Sequence, residues 1–284
     1  MFEAIMNYTF LQHALLAAVL ASVACGIMGT IIIEKNLLMS SGGIAHTAFG
    51  GVGLGYFLGI DPMLPATVFS TGAALAIVDL NRREGINADN LIGMFWPLGM
   101  ALGILFIAFT PGYPPDVNSY LFGDILTVAS GDLKNMLVLD LIIIGVVWLC
   151  YDQLLLWLFD EDFATAIGMK NRFMEYVIYF LIGLTVVVII RVVGIILILA
   201  LLSAPPTIAR MFSYNFKRIM LLSMLLGLVF CLCGLACSWY LELATGASIV
   251  IIAVLGWLLS LPLSRLSSAR RHGTAQEEQG DLGL

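Results

Sequence analysis

The stretch SSGGIAHTAFGGVGLGYFLG, residues 40–59, decides the class of fold. It carries seven glycines, Gly42, Gly43, Gly50, Gly51, Gly53, Gly55 and Gly59, and no Asp, Glu, Lys or Arg. In water each glycine inside a helix costs about 1 kcal/mol against alanine. In a membrane small residues instead let neighbouring backbones approach and pack. Gly51 and Gly55 stand four apart, and with Gly50 and Gly53 they are expected to form a nearly bare packing face. His46 sits among Ala45 and Ala48, about a turn into a helix expected from Gly43 to Gly59. An ionisable ring on a tightly packed membrane helix is a candidate functional group. A histidine satisfied by a neighbouring carbonyl is the competing reading.

The rest of the chain agrees with a membrane setting. Its 284 residues are 61% hydrophobic and 11% charged, with a mean hydropathy of +1.01, unlike a soluble domain of this length. Apolar runs of about 18–25 residues recur from end to end, so the expected fold is all-α, a polytopic transmembrane helical bundle of eight to nine spans. Residues 1–264 are read as one transmembrane domain and 265–284 as a polar, mobile tail on the inner side. The N-terminus MFEAIMNYTF lacks a basic segment and a cleavage site, so no cleavable signal peptide is expected. The net charge of −6 singles out no partner, and nucleic acid is not expected among them.

The spans are expected at about Gln12–Ile33, Gly43–Gly59, Leu64–Leu80, Asn90–Phe109 and Asn135–Leu158, then two between Phe173 and Ser203, and finally Lys217–Leu241 and Ala247–Leu263. The sequence from Thr110 to Pro115 reads as a stiff, non-helical connection. Residues Asn118 to Leu133 are too polar for a span and suit a short helix at the membrane edge. From Asp160 to Gly168 three acids precede apolar residues and a glycine C-cap, the pattern of a short amphipathic helix on the membrane surface.

The block from Phe173 to Ser203 is too long for one ordinary span and short for two. Basic residues decide between them, because short inner loops are enriched in Lys and Arg. With the N-terminus outside and a reversal at Arg191–Gly194, the inner side receives Lys35, Arg82, Arg83, Lys170, Arg172, Arg210, Lys217, Arg218, Arg265, Arg270 and Arg271. Only Lys134 and Arg191 fall elsewhere. A single fused span would put Arg210, Lys217, Arg218 and the basic tail outside.

Several chemistries lack their motifs. There is no Walker-type phosphate loop, no G-x-S-x-G and no H-E-x-x-H. Asp140 is an intramembrane acid, read either as part of an ion path or as a residue near the outer surface. Asp79 and Asp152 suit solvated span ends, and Arg191 suits an outer boundary where it reaches water. The five cysteines, Cys25, Cys150, Cys231, Cys233 and Cys237, lie in or at the ends of spans, so no disulfide framework is indicated. Cys233 and Cys237 share a helix face, as packing groups or as soft-metal ligands.

Five patterns in order, SSGGIAHTAFGGVGLG, YLFGDILTV, FDEDFATAIGM, VGIILILALLSAPPTIA and TGASIVI, resemble the permease subunits of ABC importers for zinc, manganese and related divalent metals. The resemblance covers about Leu11 to Leu263 and extends more distantly to importers of cobalamin and iron chelates. It implies a multi-pass permease of the inner (cytoplasmic) membrane, homodimeric, working by alternating access. It implies as partners a separate ATPase subunit, an extracytoplasmic metal-binding protein and the lipid bilayer. The chain itself would not be an enzyme and would hold no permanent cofactor, only the transported ion. By the same resemblance His46 is a pathway ligand; Asp140, as an intramembrane acid, is a second candidate on its own chemistry. Asp160, Asp162, Phe163, Ala164, Ile167 and Gly168 are the coupling segment that docks on the ATPase. Pro205 and Pro206 are expected to fix a helix end at a moving seam. One position departs from the pattern: an Asp commonly stands four residues before the histidine, and here it is Gly42. That leaves open a metal chelate or another small solute as cargo. A proton-coupled secondary transporter using Asp140 and His46 is the reading from a different class.

Overall fold

The computed structural model of the chain describes residues 8–111, 123 and 125–281, with side chains up to Ser264. The connection from Gly112 to Pro115, four of the nine residues of the YLFGDILTV segment (120–122 and 124) and the first seven residues lie outside that description. Among the described residues every α or β element is a helix: α1 (Thr9–Glu34), α2 (Leu38–Leu58), α3 (Met63–Glu84), α4 (Ala88–Ala108), α5 (Ser130–Leu149), α6 (Tyr151–Phe159), α7 (Glu161–Ala166), α8 (Asn171–Val193), α9 (Ile195–Phe212), α10 (Phe216–Leu241) and α11 (Thr245–Asp281). A single 3-10 turn at Ile125–Thr127 precedes α5.

Seven of the described helices, α1, α3, α4, α8, α9, α10 and the first part of α11, are long and apolar enough to cross a membrane, and the bent pair α5–α6 makes an eighth. Helix α2 is not among them, because its glycines dilute its hydropathy. It still has 21 residues, about 31 Å of helix, and it runs from the Lys35 end of the bundle to the Asp61 end. It therefore crosses the same thickness, enclosed between α3 and α4. Helix α1 is the most enclosed span; its alanines at 14, 17, 18 and 21 are fully buried and let α5, α9 and α10 close around it.

Ion pairs mark the two ends. At one end Lys35 meets Glu161 at 2.9 Å, Arg82 pairs with Glu175, Arg83 meets Asp79 at 2.8 Å, and Arg210 meets Glu34 at 3.4 Å. At the other end Arg191 lies 3.0 Å from Asp132 and 3.8 Å from Asp61. Helix α8 thus begins at the first end, beside Arg82, and finishes at the second. Helix α9 returns to the first, where Arg210 meets Glu34. The reversal expected at Arg191–Gly194 is present, made by Gly194 at φ 82°, ψ 164°. That conformation is open to glycine and strained for other residues.

Four expectations need correction. Helix α2 begins at Leu38 rather than Gly43, so His46 lies about two turns inside it. The fifth span is not continuous to Leu158: the helix starts earlier, at Ser130, covers the thickness by Leu149, and turns by 76° into α6. There Leu154 and Trp157 are buried against the body, the Lys35 ammonium sits 4.5 Å over the Trp157 ring and Lys217 lies 4.6 Å over Tyr151. These contacts hold α6 across the end of the bundle.

Pro205 and Pro206 do not end a helix either; both lie inside α9, which runs on to Phe212. Ser203 Oγ donates to the Leu199 carbonyl at 2.8 Å and Thr207 Oγ1 to the Ser203 carbonyl at 2.6 Å. The Leu202 carbonyl, whose amide partner Pro206 replaces, is packed against Gly29 of α1. Prolines are tolerated in membrane helices where neighbouring helices accommodate the freed carbonyls. Finally, the backbone after Ser264 is helical to Asp281. That stretch is rich in Ala, Arg, Gln and Glu, which favour helix.

Candidate functional site

His46 is half-buried and faces α4. Its ring stacks on Trp96, with centroids 4.2 Å apart and planes 12° from parallel. Nδ1 lies 3.4 Å from the Met100 Sδ. Gly42, one turn earlier, opens toward the same region: a Cβ built there would lie 3.7 Å from Leu199 Cδ2 and 3.8 Å from Trp96 Cζ3. The site is thus a patch on α2 and α4 with α9 beside it, offering one imidazole and one thioether. Trp96 and Met100 are four apart on α4, one helical turn, which is why both reach the same ring. Sequence reading missed them. A Trp and a Met within an apolar helix look like packing until the partner helix is known.

The glycine face holds α2 in place against its neighbours. A Cβ on Gly51 would fall 2.4 Å from the Pro65 carbonyl of α3, and one on Gly53 would fall 2.5 Å from the Gly103 carbonyl of α4. Gly50 meets the Gly99 carbonyl and Gly55 meets Pro62 in the same way. All four glycines expected to pack do so, backbone against backbone.

The surface segment forms α7. Asp160 caps it, accepting the Phe163 amide at 2.9 Å. Gly168, at φ 84°, ends it, with the Met169 amide donating to the Ala164 carbonyl at 2.9 Å, a six-to-one closing bond. Ala164 is wholly buried against the chain's own body, whereas Phe163 and Ile167 are 52% and 56% exposed. The apolar trio read from sequence therefore splits: Ala164 anchors the helix, and Phe163 and Ile167 face outward. The anchoring is extensive. Glu161 pairs with Lys35 at 2.9 Å and Arg82 at 4.0 Å, Lys35 also donates to the Trp157 carbonyl at 2.8 Å, and Asn171 Nδ2 donates to the Glu161 carbonyl and to Thr165 Oγ1. Lys35 caps α1, three residues before α2 begins, so α7 is tied to the turn that leads into the helix carrying His46. None of these long-range partners is visible as a motif.

Asp140 lies on α5, which packs on α1 and α8 rather than on α2. It is buried, and neither carboxyl oxygen has a hydrogen-bond partner among the described residues. The structure does not bring Asp140 and His46 together. No group of three or more His, Cys, Asp or Glu side chains able to hold a metal occurs among the described residues. Cys25 and Cys231 are buried, while Cys233 is exposed and Cys237 half-exposed. Arg191 is not merely at a boundary. It closes the end of a crevice of about 350 Å³ between α3, α5 and α8 through its pairs with Asp132 and Asp61.

The profile of the ABC 3 transport family matches residues 7–264. An uncharacterized membrane protein of Synechocystis sp. is 41% identical over 92% of this chain and 92% of its own. The manganese transport system membrane protein MntC of Listeria monocytogenes is 32% identical over 89% of this chain and 90% of its own. Among solved structures, PsaBC from Streptococcus pneumoniae in complex with Fab matches with a TM-score of 0.82 and 31% identity, over 91% of this chain and 93% of that one. An inward-facing metal-chelate type ABC transporter matches at 0.71 with 20% identity, over 91% and 87% of the two chains, a likeness of fold alone. With its apolar spans and its match along nearly the whole length, the chain is a membrane-embedded member of the ABC 3 transport family.

Proposed function

We propose that the chain is the permease subunit of an ATP-driven importer for a divalent transition metal, zinc or manganese, working as a homodimer in the cytoplasmic membrane. The observation that carries this reading is α7: a six-residue helix, capped at both ends, anchored by Ala164 and Glu161, that leaves the large apolar side chains of Phe163 and its C-cap Ile167 bared. A short rigid helix with an apolar tip suits insertion into a partner's groove and a rigid-body push. The push would reach α2 through Glu161 and Lys35. ATP hydrolysis is assigned to the partner chain and cargo delivery to an extracytoplasmic binding protein. The end rich in Lys and Arg is assigned to the cytoplasm, following the positive-inside rule. His46, within the span, is the pathway group. The names of the manganese transport relatives support a metal cargo. The separation of Asp140 from His46 weighs against a proton relay linking them.

The test is metal uptake into vesicles that hold the permease, its ATPase and the binding protein, for zinc, manganese and iron. ATP-dependent accumulation of one ion, lost in His46→Ala with the subunits still copurifying, is expected. Uptake that persists without ATP and follows a proton gradient would overturn the assignment.

A further inference from the structure

We propose that Met100 is a second cargo ligand, and that with His46 it makes a nitrogen–sulfur site suited to a d10 cation, zinc(II) or copper(I), rather than to manganese(II). The inference rests on the metal-import reading above and deepens it. Its main support is distance. A tetrahedral zinc ion bound at ~2.05 Å to an imidazole nitrogen and ~2.3 Å to a thiolate holds those two atoms roughly 3.5 Å apart, and a neutral thioether binds slightly farther out. Nδ1 of His46 and Sδ of Met100 stand 3.4 Å apart, the spacing of two ligands on one ion. Trp96, stacked flat on the imidazole, holds the plane of the ring.

The second support is what the site omits. Manganese(II) favours carboxylate, carbonyl and water oxygens, whereas a thioether favours softer cations. Among the described residues His46 belongs to no group of three or more His, Cys, Asp or Glu side chains able to hold a metal. At Gly42, one turn below the histidine, a Cβ would meet only ordinary contacts at 3.7 and 3.8 Å. Packing therefore does not demand glycine there. A Cβ at that position would fit, and an oxygen donor there is what the chain leaves out. Two donors make an incomplete shell, which suits an ion that must leave again; water or the same pair of a second copy would complete it.

A simple preference for zinc over manganese would not test this, because most nitrogen sites show it. Variants of the permease–ATPase complex in lipid nanodiscs do. Zinc(II), copper(I) and manganese(II) affinities are measured by competition with chromogenic chelators, and zinc-edge X-ray absorption reports the neighbours of the bound ion. The expected results are a sulfur neighbour at ~2.3 Å or slightly farther in the wild type, its loss in Met100→Leu, and a fall in zinc or copper(I) affinity of about tenfold or more, with manganese unchanged. Gly42→Asp is expected to raise manganese affinity by about tenfold. The zinc and copper(I) arms show which of the two binds more tightly. Met100→Leu keeps the apolar volume, so folding is preserved. If zinc has no sulfur neighbour and Met100→Leu binds like the wild type, the contact is only a histidine–thioether hydrogen bond; this inference fails while the import reading stands. If the wild-type complex neither binds nor transports any of the three ions, both fail.

Discussion

Gly53 stands so close to α4 that a Cβ on it would lie 2.5 Å from the Gly103 carbonyl oxygen, a backbone atom that cannot rotate away. Gly53→Leu is expected to separate α2 from α4 and reduce the yield of monodisperse protein in detergent to a small fraction, measured by size-exclusion chromatography. Gly72→Ala, on α3 with open space around it, is the control and is expected to leave yield unchanged. Arg191 and Asp132 make a different residue-scale argument. Asp132 is buried, accepts the Ala129 amide at 3.2 Å and the Arg191 Nε at 3.0 Å. Arg191→Met would leave that carboxylate short of its cation and is expected to cost about 2 kcal/mol, seen as a lowered thermal midpoint. Asp132→Asn in the same background should recover part of the loss. Sequence reading placed Arg191 correctly at a span end but gave it water as a partner. Its true partners are 59 and 130 residues back in sequence, Asp132 and Asp61, and no local pattern encodes such a pairing.

At the scale of elements, α7 separates the residues proposed to dock from those that hold it in place. Charge changes at Glu161 or a large side chain at Ala164 would break contacts within the chain itself, so they are poor probes of a partner surface. Phe163 and Ile167 are about half exposed, so Phe163→Asp and Ile167→Asp disturb the chain's own packing less. Each is expected to lower ATPase copurification by about tenfold while leaving the thermal midpoint of the permease within about a degree of wild type. Full copurification by the double variant would remove α7 from the docking surface. The existence of α7 was legible in Asp160, Glu161 and Gly168, since caps are local chemistry. Which of its residues face outward was not, because a helix of six residues is too short for periodicity to show a face. The bend at Cys150 was hidden for a related reason. An apolar run continues through it, and composition alone does not distinguish a span from a buried helix lying across the end.

For the whole molecule, the alternation of ion-pair clusters between the two ends makes a topology that can be measured. Cysteines placed singly at Ile60 and at Tyr214, in a background with Cys233→Ser, are expected to react with an impermeant maleimide from opposite sides of the membrane. Both are exposed, and they lie at opposite ends of the bundle. Labelling of both from one side would mean that α8 and α9 form a single crossing. The amino-acid sequence by itself determined the all-helical membrane class, the position of most spans, the reversal at Gly194 and the packing role of the glycines. These follow from hydropathy, charge placement and residue size, all properties of neighbours along the chain. The tertiary structure alone decided that Met100 and Trp96 meet His46, that Lys35 and Arg82 clasp Glu161, that Asp140 stands apart from His46, and that the prolines sit within a helix. Each of these depends on which helix lies beside which, a matter of long-range packing that one strand of sequence does not carry.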